Sequence, residues 1–268
     1  DLGFLSDMPA PSSGSGWTVL PTNWSGKEIA DIAIHSKGIF ATVGKPWTND
    51  STTLLRSKDY GMTWSALKTD VGLLPIAIKM NDSTLYTAQR FSGHGFKSTN
   101  LSVTWTQWGD ALDYTALVFA AGDSLLLAGT YGQGIRYSTD GATTWSAMNT
   151  GIPDDAQVPI LTDGRNGWVY ACVNINGSVK LYRLHRSTMQ WSRADNGIDT
   201  TKNINACAVT PDGTVFAVVW DRVYRSQDNG ATWTQMAILN DYLQSVTAIS
   251  NTTLLVGTVS AGTYRSTD

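Results

Sequence analysis

Ser57-Lys58-Asp59-Tyr60-Gly61-Met62-Thr63-Trp64 returns in the same frame as Ser226-Gln227-Asp228-Asn229-Gly230-Ala231-Thr232-Trp233. Weaker copies lie between and beyond this pair, and the closing tryptophans of the set are Trp17, Trp64, Trp105, Trp145, Trp191 and Trp233, roughly 40 to 50 residues apart. A motif that recurs at such a period marks one supersecondary unit stacked several times. The repeat decides the architecture before any single residue is weighed.

The copies differ in wear. Ser98-Thr99-Asn100-Leu101-Ser102-Val103-Thr104-Trp105 keeps the frame with Asn for Asp and Ser for Gly, and Ser138-Thr139-Asp140-Gly141-Ala142-Thr143-Thr144-Trp145 has its glycine one place early. In the copy that ends at Trp191, Leu184 and Arg186 stand where Ser and Asp belong, so a role that needs a carboxylate cannot operate there. The chain ends complete the series: Tyr264-Arg265-Ser266-Thr267-Asp268 joined to Ser13-Gly14-Ser15-Gly16-Trp17 reads as one motif split between the termini. A ring whose last unit is shared by the two ends accounts for the split, because pairing them removes the sheet edges an open array exposes. An open solenoid would need distinct polar caps.

Inside each repeat the pattern is strand-like. A first apolar run follows the tryptophan and a polar loop (Ile29 to Ile34, Leu74 to Ile78, Ala116 to Ala120, Val158 to Leu161, Ala206 to Val209, Val246 to Ile249). A Gly, Asn or Asp turn then leads to a second run, such as Leu125 to Gly129, Trp168 to Cys172 or Val215 to Val219. A third run ends in the motif and a fourth starts at its tryptophan. Four short strands, apolar on both faces, suit a sheet packed between two neighbours. The expectation is an all-β, six-bladed β-propeller of four-stranded antiparallel blades, one domain over residues 1–268 with a leader at 1–12, closed by terminal segments that share a blade.

The Ser-x-Asp-x-Gly-x-Thr-Trp pattern resembles the Asp-box, or bacterial neuraminidase repeat, of sialidases, some endoglucanases, sortilin-type receptors and photosystem assembly factors. The resemblance spans the chain and implies blade type rather than chemistry, because those propellers have unrelated activities. It also implies that the box joins third and fourth strands, opposite the usual ligand face. The residues read as structural: a turn carboxylate accepts backbone amides, glycine supplies positive φ, and the indole buries apolar area between blades. Ser57, Asp59, Gly61, Trp64, Asp140, Trp145, Ser226, Asp228, Gly230 and Trp233 are therefore fold residues, and Arg56, Arg136, Arg225 and Arg265, which recur just ahead of the box, brace blades.

Charged residues make up 15% of the chain and the net charge is −3, with no basic patch to favour nucleic acid. Apolar stretches are interrupted too often for a membrane-spanning helix. Asp1 is not a native start, so the chain reads as a trimmed mature form, and its Ser, Thr, Asn, Gly and Trp richness points to an extracellular, cell-surface or periplasmic address, as a monomer or a module of a larger protein. Cys172 falls on the second strand of the fourth repeat and Cys207 on the first strand of the fifth. Adjacent blades could join them, although two buried free thiols is the favoured reading. Asn-x-Ser/Thr sequons occur at Asn23, Asn49, Asn81, Asn100, Asn176 and Asn251 and matter only in a eukaryotic source. No cofactor or metal is implied.

Functional residues belong on the loops opposite the boxes. Those loops carry Trp47, Arg90, His94, Tyr131, Trp220 and Asp221 as ligand-binding candidates, and the inter-repeat loops of the same face add Trp24, Trp108, Tyr114 and Tyr242. Aromatics mixed with Asn, Asp and Arg suit sugar rings, whose apolar faces stack while hydroxyls seek bidentate partners. Trp47 and Trp220 covering blade ends is the plain alternative. The expected function is a non-catalytic binding module for a glycan or protein partner. A glycoside hydrolase is the alternative, and an assembly or adhesion factor a third reading. Resemblance to sialidases implies an arginine triad and a Tyr-Glu nucleophile pair, yet Glu28 is the sole glutamate and has no tyrosine near it, which argues against that activity. An Asp-Asp endoglucanase would draw on Asp113, Asp155 and Asp199.

Overall fold

The computed structural model describes residues 28–35, 37–44, 53–59, 63–69, 76–78, 84–88, 94–100, 104–109, 114–120, 125–164, 167–248, 250–258 and 263–266. The leader, the Ser13 to Trp17 half of the split motif, and Gly61 lie outside them. Six antiparallel sheets are formed among the described residues, each a simple meander in chain order. The first contains β1 (Glu28–His35), β2 (Gly38–Gly44), β3 (Thr53–Ser57) and β4 (Ser65–Thr69), and the second β5 (Ile76–Ile78), β6 (Leu85–Ala88), β7 (Gly95–Ser98) and β8 (Thr106–Trp108). The third contains β9 (Tyr114–Ala120), β10 (Leu125–Thr130), β11 (Ile135–Ser138) and β12 (Ser146–Ala147). The fourth is built from β13 (Gln157–Asp163), β14 (Trp168–Ile175), β15 (Ser178–His185) and β16 (Gln190–Arg193), the fifth from β17 (Ile204–Val209), β18 (Val215–Val219), β19 (Arg222–Ser226) and β20 (Thr234–Ile238). The sixth has three strands, β21 (Leu243–Ala248), β22 (Leu254–Thr258) and β23 (Thr263–Ser266). The described residues contain no helix, and none is long and apolar enough to cross a membrane.

The chain falls into two compact units, Asp1–Leu117 and Val118–Asp268. In the first, Phe40, Leu54 and Leu85 are fully buried and pack with Leu67, Phe96 and Trp105, which ties the first sheet to the second. In the second, β18 shows why the second strands read as continuous apolar runs. Val215, Ala217 and Val219 point into a core shared with the fourth sheet, while Phe216 and Val218 point into one shared with the sixth. A strand covered on both faces has no polar side to alternate with.

The repeated motif joins the third to the fourth strand of its sheet, and its geometry is nearly the same in the three described copies that keep the aspartate. Ser57 Oγ donates to Asp59 Oδ1 at 2.8 Å, and Asp59 accepts Thr63 N at 2.8 Å and Thr63 Oγ1 at 2.5 Å. The corresponding distances are 2.8, 2.9 and 2.6 Å at Ser138, Asp140 and Thr144. They are 2.7, 2.9 and 2.5 Å at Ser226, Asp228 and Thr232. Where Asn100 replaces the carboxylate, its Oδ1 still accepts Ser98 Oγ and Thr104 N at 3.0 Å each, and only the threonine bond reverses, with Asn100 Nδ2 donating to Thr104 Oγ1. The carboxylate is thus consumed in folding its own turn. The early glycine of the third copy is also explained: both central positions are left-handed, with φ of 72° at Gly141 and 66° at Ala142 against 56° at Asn229 and 79° at Gly230, so glycine can take either.

In the worn copy Leu184 is fully buried in place of the serine and Arg186 pairs with Asp163 at 2.7 Å. Arg183 reaches from that sheet to the motif of the next, donating to Asn229 O at 2.6 Å and Asp228 O at 3.3 Å. Successive sheets of the second unit are clamped by the motif tryptophan. Trp191 donates through Nε1 to Met148 O at 2.8 Å and through its amide to Thr150 O at 2.8 Å, and Trp233 does the same to Ala194 O at 2.6 Å and Asn196 O at 3.0 Å. Gly151 and Gly197, at φ 100° and 99°, let these backbones meet: a Cβ on either would lie 2.0 or 2.5 Å from the tryptophan carbonyl oxygen. Trp64, Trp105 and Trp145 are only half-buried.

Candidate functional site

The meander places two connections at the sheet end opposite the motif: the turn between second and third strands, and the segment that leads to the next sheet. In the fifth sheet the turn is Trp220-Asp221. Two-residue hairpin turns require positive φ at the first position or at both, and favour Asn, Asp and Gly. Asn176-Gly177, between β14 and β15, obeys this with φ of 52° and 83°. Trp220 takes φ 57° instead, a left-handed conformation that costs a bulky residue about 1–2 kcal/mol. Neighbouring backbone enforces it, Leu243 N donating to Trp220 O at 2.7 Å and Leu239 N to Asp221 O at 2.9 Å. The outcome is an indole 49% exposed at the sheet end.

Other side chains converge on it. Tyr242, 38% exposed, meets the indole edge-on at 5.2 Å between centroids and 82° between planes, and Lys202 Nζ lies over the ring at 5.0 Å. The Tyr242 hydroxyl donates to Asn205 Oδ1 at 3.1 Å, and Asn205 Nδ2 donates to Leu243 O at 2.7 Å. A β-bulge between Ile204 and Ala206 sets Asn205 there, and the same irregularity occurs near the start of β1, β13 and β21. Arg222 Nη1 donates to Asp199 Oδ2 at 3.0 Å, and its Nε lies 3.5 Å from Asp221 Oδ1. Asp199 also accepts Thr201 Oγ1 at 2.6 Å and Thr201 N at 3.1 Å; these bonds first, and the Arg222 charge after them, hold its carboxyl below the usual carboxylate range.

Tyr131, 51% exposed, pairs as an isolated bridge with Gln157 beside a cleft of about 360 Å³ lined by Pro153, Asp155, Gln157, Asn174 and Asn176. Asn174 Nδ2 donates to Gln157 Oε1, its cross-strand partner, at 3.1 Å. The structure therefore brings Trp220, Asp221 and Asp199 together, and places Asp155 in this cleft with Tyr131 bridged to its neighbour Gln157. His94 is exposed ahead of β7 in the first unit. Trp47, Arg90 and Asp113 lie outside the described residues. Lys202 and Asn205 join the site although sequence reasoning did not select them. Their signal was present: Asn203-Ile204-Asn205 alternates polar and apolar residues just ahead of the run Ala206 to Val209.

An aromatic pair flanked by ammonium, guanidinium, amide and carboxylate groups can stack on a ring and hydrogen-bond its substituents. Asp199 is ionised through the neutral range and does not fit a general acid, which needs a raised pKa. Among the described residues, His, Cys, Asp and Glu form no metal-binding group.

No protein-family model matches the chain, and neither does any curated protein. Solved structures do. The chain is similar to a GH74 xyloglucanase of Xanthomonas campestris (TM-score 0.74, 14% identity, 90% of this chain and 45% of that one). It is also similar to YCF48 of Cyanidioschyzon merolae (TM-score 0.70, 12% identity, 93% and 84%). A third likeness is to the extracellular domain of a one-component system of B. thetaiotaomicron (TM-score 0.65, 14% identity, 89% and 32%). The chain spans less than half the length of the first and third. Likeness at this identity shows the fold, and that fold is the β-propeller.

Proposed function

We propose that this chain is a six-bladed propeller of the Asp-box kind, forming a single domain, and that it serves as a non-catalytic extracellular module that binds glycans through the loops opposite the motif. Ring closure by termini that share a blade is part of the proposal, and the sixth sheet has three described strands. The observation that carries the binding reading is Trp220. A large apolar side chain is kept half-exposed, in a backbone conformation it disfavours, with Tyr242, Lys202, Asp221 and Arg222 around it. Strain held in place by its surroundings, at an exposed aromatic, is what a built ligand platform needs.

The test is a glycan array that includes xyloglucan, the polymer implied by the name of the Xanthomonas enzyme, probed with wild-type protein and with Trp220→Ala. Saturable binding that the variant weakens about tenfold or more, with the fold intact, supports the proposal. A blank array with folded protein transfers the site to a protein partner. The hydrolase alternative predicts polymer cleavage that Asp155→Asn or Asp199→Asn abolishes, and cleavage that survives both removes those carboxylates from consideration.

A further inference from the structure

Cys172 and Cys207 lie on different sheets, β14 in the fourth and β17 in the fifth, yet share one buried core with Tyr170, Leu181, Ala217 and Trp233. Strand register explains the meeting. Cys172 sits opposite Ile160, and Tyr170 sits opposite Thr162, so Cys172 and Thr162 occupy one face of the fourth sheet as diagonal neighbours. The bulge after Ile204 shifts the phase of β17, so that Ile204, Cys207 and Val209 all turn toward that face. Cys207 Sγ donates to Thr162 Oγ1 at 3.3 Å, and both cysteines are buried with free thiols in this one core.

We propose that Cys172 and Cys207 are a disulfide-forming pair, closing a covalent staple between the fourth and fifth sheets when the chain folds under oxidising conditions. Before the sheets close both thiols are open to solvent, so either can be the first to attack. With a small organic disulfide such as oxidised glutathione as oxidant, one thiolate, here Cys207 Sγ, attacks one of its sulfurs, the external S–S bond breaks, and one glutathione leaves as thiolate. Cys172, having lost its proton to solvent, then attacks Cys207 Sγ and expels the second. Two protein thiols are oxidised and one external disulfide is reduced to two thiols. Both sulfurs are buried, so the exchange belongs to folding, before the two sheets close. Nothing in this depends on what the loop face binds.

The experiment refolds the full chain in a glutathione redox buffer and in excess reductant, traps free thiols under denaturing conditions, and maps peptides. The expected result is a Cys172–Cys207 linked peptide, the loss of both free thiols, and an unfolding midpoint about 10 °C above the reduced sample. Reductant should abolish that advantage, and Cys172→Ala and Cys207→Ala, which keep a small apolar side chain, should lack it. Recovery of both thiols free after oxidative refolding, or of each bonded to glutathione or to another chain, overturns the proposal.

Discussion

Replacing Asp228 separates charge from hydrogen bonding in the repeated motif, because the chain contains its own control. Asp228 accepts from Ser226 Oγ, Thr232 N and Thr232 Oγ1. Asp228→Ala removes all three bonds. The Thr232 groups are exposed and regain water, but the Ser226 hydroxyl, 2% exposed, loses its acceptor while still holding Gly230 N at 2.8 Å. An orphaned buried donor costs about 1–3 kcal/mol, so the expected loss is about 2 kcal/mol and a fall in melting temperature of about 4–8 °C. Asp228→Asn should cost less than about 1 kcal/mol, since Asn100 shows that an amide accepts the same two bonds and reverses the third. Urea titration of the three proteins measures this. The pH dependence supplies a second readout. Burial pushes the Asp228 carboxyl up, but the bonds from Thr232 and Ser226 outweigh it and bring it down to about 2. The unfolded chain binds that proton near pH 4, so the carboxylate's contribution is present above about pH 4 and lost as pH falls through about 2. The wild-type advantage over Asp228→Asn should shrink across that window. An Asn variant as damaged as the Ala variant, or an Ala variant within about 0.5 kcal/mol of wild type, refutes the reasoning.

Trp233→Ala should destabilise by about 3–5 kcal/mol by vacating the space between two sheets, and Trp233→Phe by less, with the lost Nε1 bond to Ala194 O as its main cost; chemical denaturation distinguishes them. Gly177→Ala, at φ 83° with open space around it, should cost about 1 kcal/mol, whereas Gly197→Ala, at φ 99° and facing the Trp233 carbonyl at 2.5 Å, should cost at least twice that by the same measurement. In binding assays, Lys202→Ala should weaken any glycan that binds wild type by less than Trp220→Ala does, because an exposed ammonium contributes less than an aromatic anchor.

The strands were legible to within about three residues at either end because their signal is local. The runs Val215 to Val219 and Leu125 to Gly129 match β18 and β10, since a strand covered on both faces must be apolar throughout. The motif was equally legible: the carboxylates of Asp59, Asp140 and Asp228 bond to residues no more than four positions away. The placement of both cysteines on their strands also follows from the repeat alone.

What sequence could not supply depends on register and on contacts across many residues. No local pattern says that Trp220 is held left-handed by Leu243 N, that Tyr242 and Lys202 meet its ring, or that Asn205 is turned toward Tyr242 by a bulge. Nor does one say that Gly197 exists to admit the Trp233 backbone. A series of like β-sheets, turned by a self-bonding carboxylate, is readable from residue order alone, because that information is carried within eight-residue windows. Which loop aromatics gather into one site, and which cysteines share one buried core, depends instead on strand register and on how one sheet seats against the next.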